Sequence, residues 1–111
     1  MKNQICAAQC PKCLDLIISG SQHDYHSCSC NEIAIDGGLA YTRLAYKVEP
    51  PTVVHIILDG LTNKDIYDEW NYRKPKKYRL IKSKERVYKS YSYILNKAGQ
   101  IVGKTRNKSK L

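Results

Sequence analysis

The chain has 111 residues, a hydrophobic fraction of 42%, a net charge of +9, five cysteines and no phenylalanine. This length is that of one domain, or of a small metal-stapled unit fused to a second small unit. Because nine tyrosines supply most of the aromatic mass, we expect a thin core that a metal or a partner supplements.

The N-terminal residues lack the apolar run of an export signal, and the apolar stretch 52–61 is too short to span a bilayer. We therefore expect a cytoplasmic protein with no membrane partner, in a compartment where thiols stay reduced. Five cysteines within the first thirty residues then indicate metal ligands and one spare thiol, not disulfides.

The first predicted unit, residues 1–44, contains all the cysteines. Short strands are predicted at Leu14–Ile18 and Glu32–Asp36, with a polar loop between them. The sequence 36–38 (Asp-Gly-Gly) predicts a turn, after which Tyr41, Leu44 and Ala45 can share one helical face.

Four cysteines in this unit have the spacing of a metal site. Cys10 and Cys13 have the form of a zinc knuckle, and Cys28 and Cys30 provide a second, tighter pair. Four thiolates complete the tetrahedron that structural zinc prefers and leave no open position for catalysis, so we predict one structural Zn²⁺. Alternatives remain open: His26 in place of Cys30, His23 as a weaker competitor, and Cys6 as a ligand instead of a buried or free thiol.

The second predicted unit, residues 45–111, begins with a buried strand at Thr52–Leu58, in which His55 is expected to be a satisfied core histidine. A helix is predicted from Thr62, where Asp65 completes a capping box, to a point before Pro75. The same helix is also a weaker candidate for the first helix of a helix-turn-helix.

Three more strands are predicted: Tyr78–Lys82, Arg86–Leu95 and residues 100–103, the last after a turn at 96–99. Period-two alternation places Tyr91, Tyr93 and Leu95 on one face, and a frayed tail is expected from about Lys104. A helix over 76–94 is the alternative. The predicted fold class is α+β: an N-terminal zinc ribbon of short antiparallel strands, then a small antiparallel sheet with one or two short helices.

The charge is strongly asymmetric. Residues 72–111 hold fourteen of the nineteen Lys and Arg residues against Glu85 alone, whereas residues 1–71 hold five against nine acids. Cations interleaved with tyrosines favour nucleic acid, because cations neutralise phosphates and exposed rings stack on unpaired bases. The alternative is a solvated basic surface with the tyrosines in the core. The predicted nucleic-acid-binding residues are Arg73, Lys74, Lys76, Lys77, Tyr78, Arg79, Lys82, Lys84, Arg86, Lys89 and Tyr91.

About residues 8–44 resemble a family of small zinc-ribbon-like proteins of bacteriophages and bacteria. The resemblance lies in Cys10-Pro-Lys-Cys13, the His23-Asp24-Tyr25 step, Cys28-Ser-Cys30 and the Asp-Gly-Gly turn followed by the aromatic Tyr41. Asn31 stands where many members have Gly, a mild departure because Asn also tolerates left-handed geometry. The resemblance implies a ribbon fold and a phage origin, and it supplies no activity.

The sequence therefore predicts a non-enzymatic, zinc-binding protein that binds DNA or RNA through its basic C-terminal region. It contains no Gly-rich phosphate loop, nucleophile elbow or paired catalytic carboxylates, and no small-molecule substrate is expected. The alternative function is that of a phage-encoded modulator that binds a host protein, since an acidic protein face also attracts a basic patch.

Overall fold

The computed structural model describes residues 4–37 and 43–107, which form nine strands and one helix. In chain order these elements are β1 (Gln4–Gln9), β2 (Leu16–Ile17), β3 (His26–Ser27), β4 (Ile33–Asp36), β5 (Arg43–Tyr46), β6 (Thr52–Asp59), α1 (Asn63–Asn71), β7 (Leu80–Ile81), β8 (Tyr91–Asn96) and β9 (Ile101–Arg106).

The larger sheet has six strands in the order β7-β2-β1-β6-β8-β9. Its neighbours pair antiparallel except for β6 and β8, which are parallel. A parallel pair needs a long crossover, and residues 60–90, which contain α1 and β7, provide it. The division of the chain at residue 44 stays a prediction; the sheet itself takes β1 and β2 from before that point and four strands from after it.

The smaller sheet has three antiparallel strands in the order β3-β4-β5. Ile33 and Ile35 of β4 are buried together with Ile17, Cys10 and Cys28, so this cluster lies beside the cysteines. A second, larger cluster includes Ile56, Ile66 and Leu95, and it joins β6, α1 and β8. Tyr93 and Leu95 belong to this larger cluster and Tyr91 packs against it, which confirms the predicted face of β8.

The predicted α+β class is wrong: the described residues are mostly β, with a single nine-residue helix. The candidate second helix is replaced by β5, because Leu44 and Ala45 pair with Ile35 and Ala34 and the cross-strand contacts override helical propensity. Tyr41 and Gly38, named in the same predictions, lie outside the described residues. The antiparallel arrangement is also wrong for the larger sheet, because β6 and β8 are parallel.

The helix α1 confirms the prediction from Thr62, including the capping box with Asp65. The element that follows α1 is the strand β7, so the helix-turn-helix and the helix over 76–94 are both excluded. The strand predicted at 86–95 begins only at Tyr91, and β9 continues past Lys104 to Arg106. Within residues 4–37 and 43–107, no helix is long and apolar enough to cross a membrane.

Candidate metal centre and basic groove

Two similar turns hold the four cysteines. Cys10 follows directly on β1, and the chain turns back so that the Leu14 amide donates to the Cys10 carbonyl. Cys28 follows directly on β3, and the Asn31 amide donates to the Cys28 carbonyl. Each turn ends in a residue with left-handed backbone, φ 65° at Leu14 and φ 64° at Asn31. The substitution of Asn for Gly at position 31 is therefore accommodated as the sequence predicts.

The four sulfur atoms form one cluster. The Sγ atoms of Cys10, Cys13, Cys28 and Cys30 all lie within 4.8 Å of one another, and the cluster can hold a metal ion. Cys10 and Cys28 are buried, Cys13 is half-buried and Cys30 is exposed at the surface. The backbone amides of Lys12 and Cys13 point at the Cys10 sulfur, at 3.3 and 3.5 Å. Amide donors of this kind stabilise a thiolate, the form that binds metal.

The thiols differ in acidity. Burial raises the pKa of Cys10, and it raises the pKa of Cys13 to about 12. Burial also opposes ionisation of Cys28, but hydrogen bonds from the Ile33 amide and from the neighbouring thiols outweigh it and lower its pKa to about 7. Without a cation the cluster therefore favours the thiolate at Cys28 and the thiol at Cys10 and Cys13. A divalent cation must displace the remaining protons, so its affinity rises with pH.

Asp15 connects the two cysteine turns. Its buried carboxylate accepts the Ser29 amide at 2.9 Å and lies 3.5 Å from the ammonium of Lys82. Burial raises the pKa of Asp15, but the Ser29 hydrogen bonds and the Lys82 charge outweigh it and bring the pKa below its usual value. An ionised Asp15 thus holds the second turn against the first, in the way that outer-shell carboxylates orient metal ligands.

The predicted alternative ligands lie elsewhere. Both ring nitrogens of buried His26 are used, by Asp24 at 3.0 Å and by the Arg79 carbonyl at 3.1 Å. His23 is exposed, and Cys6 is a half-buried free thiol on β1, opposite His55 on β6. His55 is itself exposed, so its predicted place in the core is wrong: it lies on the outward face of β6.

Sequence reasoning missed a second buried polar centre. Both carboxylate oxygens of Asp24 accept hydrogen bonds from the Arg79 guanidinium, and Asp24 also accepts from the Gly20 amide and contacts His26. We call Asp24, His26 and Arg79 the Asp24 centre. Burial raises the pKa of Asp24, but the His26 and Arg79 hydrogen bonds outweigh it and hold the pKa far below its usual range.

Glu69 is a further buried acid without a sequence signal. Its carboxylate accepts the backbone amides of Lys77, Tyr78 and Arg79 at 2.8 to 3.2 Å. The last turn of α1 therefore fixes the chain immediately before β7. The contacts join residues eight to ten positions apart across a Pro-containing loop, which helical or strand periodicity cannot reveal.

Eight of the eleven predicted nucleic-acid-binding residues are exposed, and the other three are buried or half-buried. Arg79 and Tyr78 are buried: Arg79 bonds Asp24, and the Tyr78 hydroxyl donates to the Lys97 carbonyl at 2.6 Å. Tyr91 is half-buried, with Lys104 and Arg106 against its ring. The exposed members of the predicted set are Arg73, Lys74, Lys76, Lys77, Lys82, Lys84, Arg86 and Lys89.

Some of these cations line a groove between the β7–β8 loop and the β8–β9 hairpin. One cavity of about 660 Å³ is lined by residues 80–85 and 99–101, including Lys82 and Lys84. A second, of about 260 Å³, shares Ser83, Glu85 and Ile101 with the first and adds Arg86, Tyr93, Gly103 and Lys104. We call this continuous feature the basic groove, with Lys82, Lys84, Arg86 and Lys104 as its cations.

Residues 3–46 match a family described as "Domain of unknown function (DUF7695)". No curated protein matches the chain, and no solved structure matches it. The resemblance over about residues 8–44 thus coincides with a domain to which no function is attached, while the zinc-ribbon and phage assignments stay predictions.

Proposed function

We propose that the four cysteines hold one structural zinc ion and that the protein is a non-enzymatic nucleic-acid-binding protein whose contact surface is the basic groove. The four-sulfur cluster carries the first part of this proposal. The exposed cations of the groove support the second part. In each part, side chains from two separate segments of the chain come together, the two cysteine turns in the first and the β7–β8 loop and the β8–β9 hairpin in the second.

The donor set favours zinc. Thiolates are soft ligands, and four of them at this separation suit the tetrahedral geometry that Zn²⁺ adopts in structural sites. Four protein ligands would leave no position for water or substrate, which is the arrangement of structural and not catalytic zinc. A non-enzymatic role is further supported by the Asp24 centre, whose histidine and carboxylate are buried and already hydrogen-bonded to each other.

Metal content tests the zinc proposal directly. Protein expressed in medium with balanced zinc and iron should contain one zinc per chain by elemental analysis. Replacement by Co²⁺ should produce the absorption of a tetrahedral four-thiolate site. Iron at one per chain would overturn the identity of the metal but not the site, since tetrahedral sulfur also suits iron. A metal-free protein with an unchanged unfolding curve would overturn the site itself.

The basic groove supports nucleic acid as the ligand. Four exposed cations line the groove together with one acid, Glu85. Lys and Arg gain affinity for nucleic acid by neutralising phosphates and releasing counterions. Tyr88, 57% exposed, lies in the same loop as Arg86 and Lys89, so a ring is available for stacking on a base.

Binding should be measured by fluorescence anisotropy with labelled single- and double-stranded DNA and RNA over a range of salt concentrations. The Lys84→Gln, Lys104→Gln variant removes two groove cations. The matched control is Lys47→Gln, Lys64→Gln, which removes two exposed cations outside the groove. Substitutions are preferable to deletion of the basic region, because a chain ending at Asn71 would lack three of the six strands of the larger sheet.

We expect wild-type binding to weaken steeply with salt, and the groove variant to lose about 0.7 in log–log slope per single-strand phosphate contact removed. The control should keep the wild-type slope more closely than the groove variant. Equal losses in both variants would contradict the groove as the contact surface. Absence of binding at near-physiological salt would overturn nucleic acid as the ligand, and a saturable complex with one host protein would then favour the modulator.

A further inference from the structure

The loop that lines the basic groove is attached to the metal-binding turn. Gln9, immediately before Cys10, is buried and uses all of its side-chain hydrogen-bonding groups except one lone pair. Its amide nitrogen donates to the Leu14 carbonyl at 3.0 Å and to the Glu85 carbonyl at 2.9 Å. Its oxygen accepts the Val87 amide at 2.8 Å. One side chain therefore holds the end of the first cysteine turn and both sides of the loop at Arg86.

Two groove cations make further contacts with the cysteine turns. The Arg86 guanidinium donates to the carbonyl of Pro11, which lies between Cys10 and Cys13, at 3.2 Å. The Lys82 ammonium lies 3.5 Å from Asp15 and also contacts the hydroxyl of Ser29, which lies between Cys28 and Cys30. Each cysteine pair thus has one groove cation bonded to a residue between its two cysteines.

Other groove cations have no such attachment. Lys84 and Lys104 line the groove, and no contact between them and either cysteine turn is found among the described residues. The loop at 73–77 also has exposed cations. Its end is held by the Glu69 carboxylate of α1, which accepts the Lys77 and Tyr78 amides. The chain therefore offers internal controls for any effect of the metal on residues 82–87.

We propose that metal binding and nucleic-acid binding are thermodynamically coupled, because the metal fixes the two cysteine turns on which loop 82–87 depends. This rests on the proposed function of the groove. Without the metal the turns lose their common ligand, Pro11 and Ser29 no longer keep fixed positions, and Arg86 and Lys82 lose theirs. A polyanion then has to order the loop as it binds, which lowers its affinity. Coupling is reciprocal, so a bound polyanion raises the affinity for the metal by the same factor.

The first experiment needs no nucleic acid. Amide hydrogen exchange of the full chain is compared with and without metal, for residues 82–87 and for residues 73–78. We expect metal removal to accelerate exchange of the Val87 amide and its neighbours by about tenfold or more relative to the Tyr78 amide, which Glu69 holds. Equal acceleration in both segments, or none in either, would overturn the proposal.

The second experiment measures the coupling itself. Metal affinity is determined by competition with a chromophoric chelator, with and without a saturating single-stranded oligonucleotide. We expect the oligonucleotide to tighten metal binding by about 5- to 150-fold, the usual range of coupling between sites. Ser29→Ala removes the Lys82 contact at the second cysteine pair without removing a charge, and it should reduce this factor roughly threefold.

Lys84→Met is the matched variant, since it removes a groove cation that is not attached to the cysteine turns. At equal saturation it should keep the wild-type coupling factor although it binds the oligonucleotide more weakly. The same factor in wild type, Ser29→Ala and Lys84→Met would mean that the ligand acts only through global stability, and the proposal would be wrong. A metal effect on exchange in 82–87 without any oligonucleotide binding would overturn the proposed function and the coupling with it, and would leave only the dependence of loop 82–87 on the metal.

Discussion

The cysteine cluster and the Asp24 centre balance buried charge in opposite ways. The cysteine cluster brings together four groups that are all neutral or anionic, so its balancing cation has to come from outside the chain. The Asp24 centre contains its own cation, because Arg79 meets both oxygens of Asp24 in the interior. The first centre is complete only with a ligand, whereas the second is complete on folding.

This difference determines what each centre does for the fold. Both join distant parts of the chain: the cysteine cluster connects the turns after β1 and β3, and the Asp24 centre connects the loop before β3 to the residue before β7. Stability contributed by the first varies with metal supply, since binding free energy becomes folding free energy when the site forms only in the folded state. Stability contributed by the second depends only on the sequence and on pH.

Loss of a buried cysteine ligand should have the largest effect. Cys28→Ser removes a buried ligand whose pKa is lowered to about 7, and we expect loss of bound metal together with a large fall in the midpoint of thermal unfolding. Structural zinc contributes about 10 kcal/mol or more of apparent binding free energy. The larger apolar cluster contains none of the four cysteines, so we expect the metal-free variant to stay folded at room temperature with a lower unfolding midpoint. Elemental analysis and thermal unfolding measure the two effects.

Cys6→Ser is the matched control, because Cys6 lies on β1 outside the cluster. It should keep one metal per chain, and its unfolding midpoint should stay close to that of the wild type. Loss of metal in Cys6→Ser but not in Cys28→Ser would contradict the assignment of the four ligands.

The second largest effect should come from breaking the Asp24 centre. Arg79→Met leaves the Asp24 carboxylate buried without the guanidinium that meets both of its oxygens, and we expect a loss of about 3–5 kcal/mol in the free energy of unfolding. Metal-loaded protein should still bind one metal, since Arg79 does not contact the cysteines in the described structure. Urea unfolding of the metal-loaded protein measures the loss.

The double variant Asp24→Asn, Arg79→Met sharpens this result. Removing both charges should recover part of the stability, because an uncompensated buried charge costs more than a missing ion pair. Arg73→Met removes an exposed cation and should change stability by less than about 0.5 kcal/mol. A double variant less stable than Arg79→Met would contradict an uncompensated Asp24 charge as the cause of the loss.

The two centres also differ in how far the sequence reveals them. Cysteine spacing predicts the cluster because a knuckle is local: the ligands lie within a few residues of each other and only one long-range contact has to be inferred. Asp24 and Arg79 are 55 residues apart, and neither has a neighbour that predicts the pairing. Arg79 stands in a run of cations, so composition assigned it to the surface.

The contrast between local patterns and long-range pairing also explains which parts of the fold could be predicted from the sequence. The helix at 63–71, the strands at 52–59 and 33–36, and the turn after β8 follow from capping, periodicity and turn residues. The strand β1 has no β-branched residue except Ile5 and was not predicted; it forms because β2 and β6 pair with it on both sides. The mixed six-stranded sheet could not be predicted, since it depends on pairings between residues far apart in the chain.

Lowering the pH should have a smaller effect on stability, part of which belongs to the Asp24 centre alone. The pKa of Asp24 is depressed on folding, so its contribution to stability is complete above its unfolded pKa of about 3.9 and is lost as pH falls below that value. One group titrating in this way lowers the free energy of unfolding by at most about 1.4 kcal/mol per pH unit. Urea unfolding at several pH values between 5 and 3 (about two pH units) measures the slope.

The Asp24→Asn, Arg79→Met variant provides the comparison for this slope. Acid also protonates the thiolates and releases metal, but it does so in both proteins, so the difference between the two pH profiles belongs to Asp24. We expect the double variant to lose stability less steeply below about pH 4. Parallel profiles would indicate that Asp24 is not ionised in the folded protein.

The smallest effect should come from a site outside both centres. The Asp65 carboxylate accepts the Thr62 amide at 2.8 Å at the start of α1 and places a negative charge at the positive end of the helix. Asp65→Ala should therefore lower the free energy of unfolding by roughly 1 kcal/mol, the usual effect of losing a helix cap. Metal content should stay at the wild-type value. The part of the pH dependence of stability that Asp24 contributes should also stay at its wild-type value. A loss of metal on this substitution would mean that α1 supports the cysteine cluster, and the two centres would then not be separable by mutation.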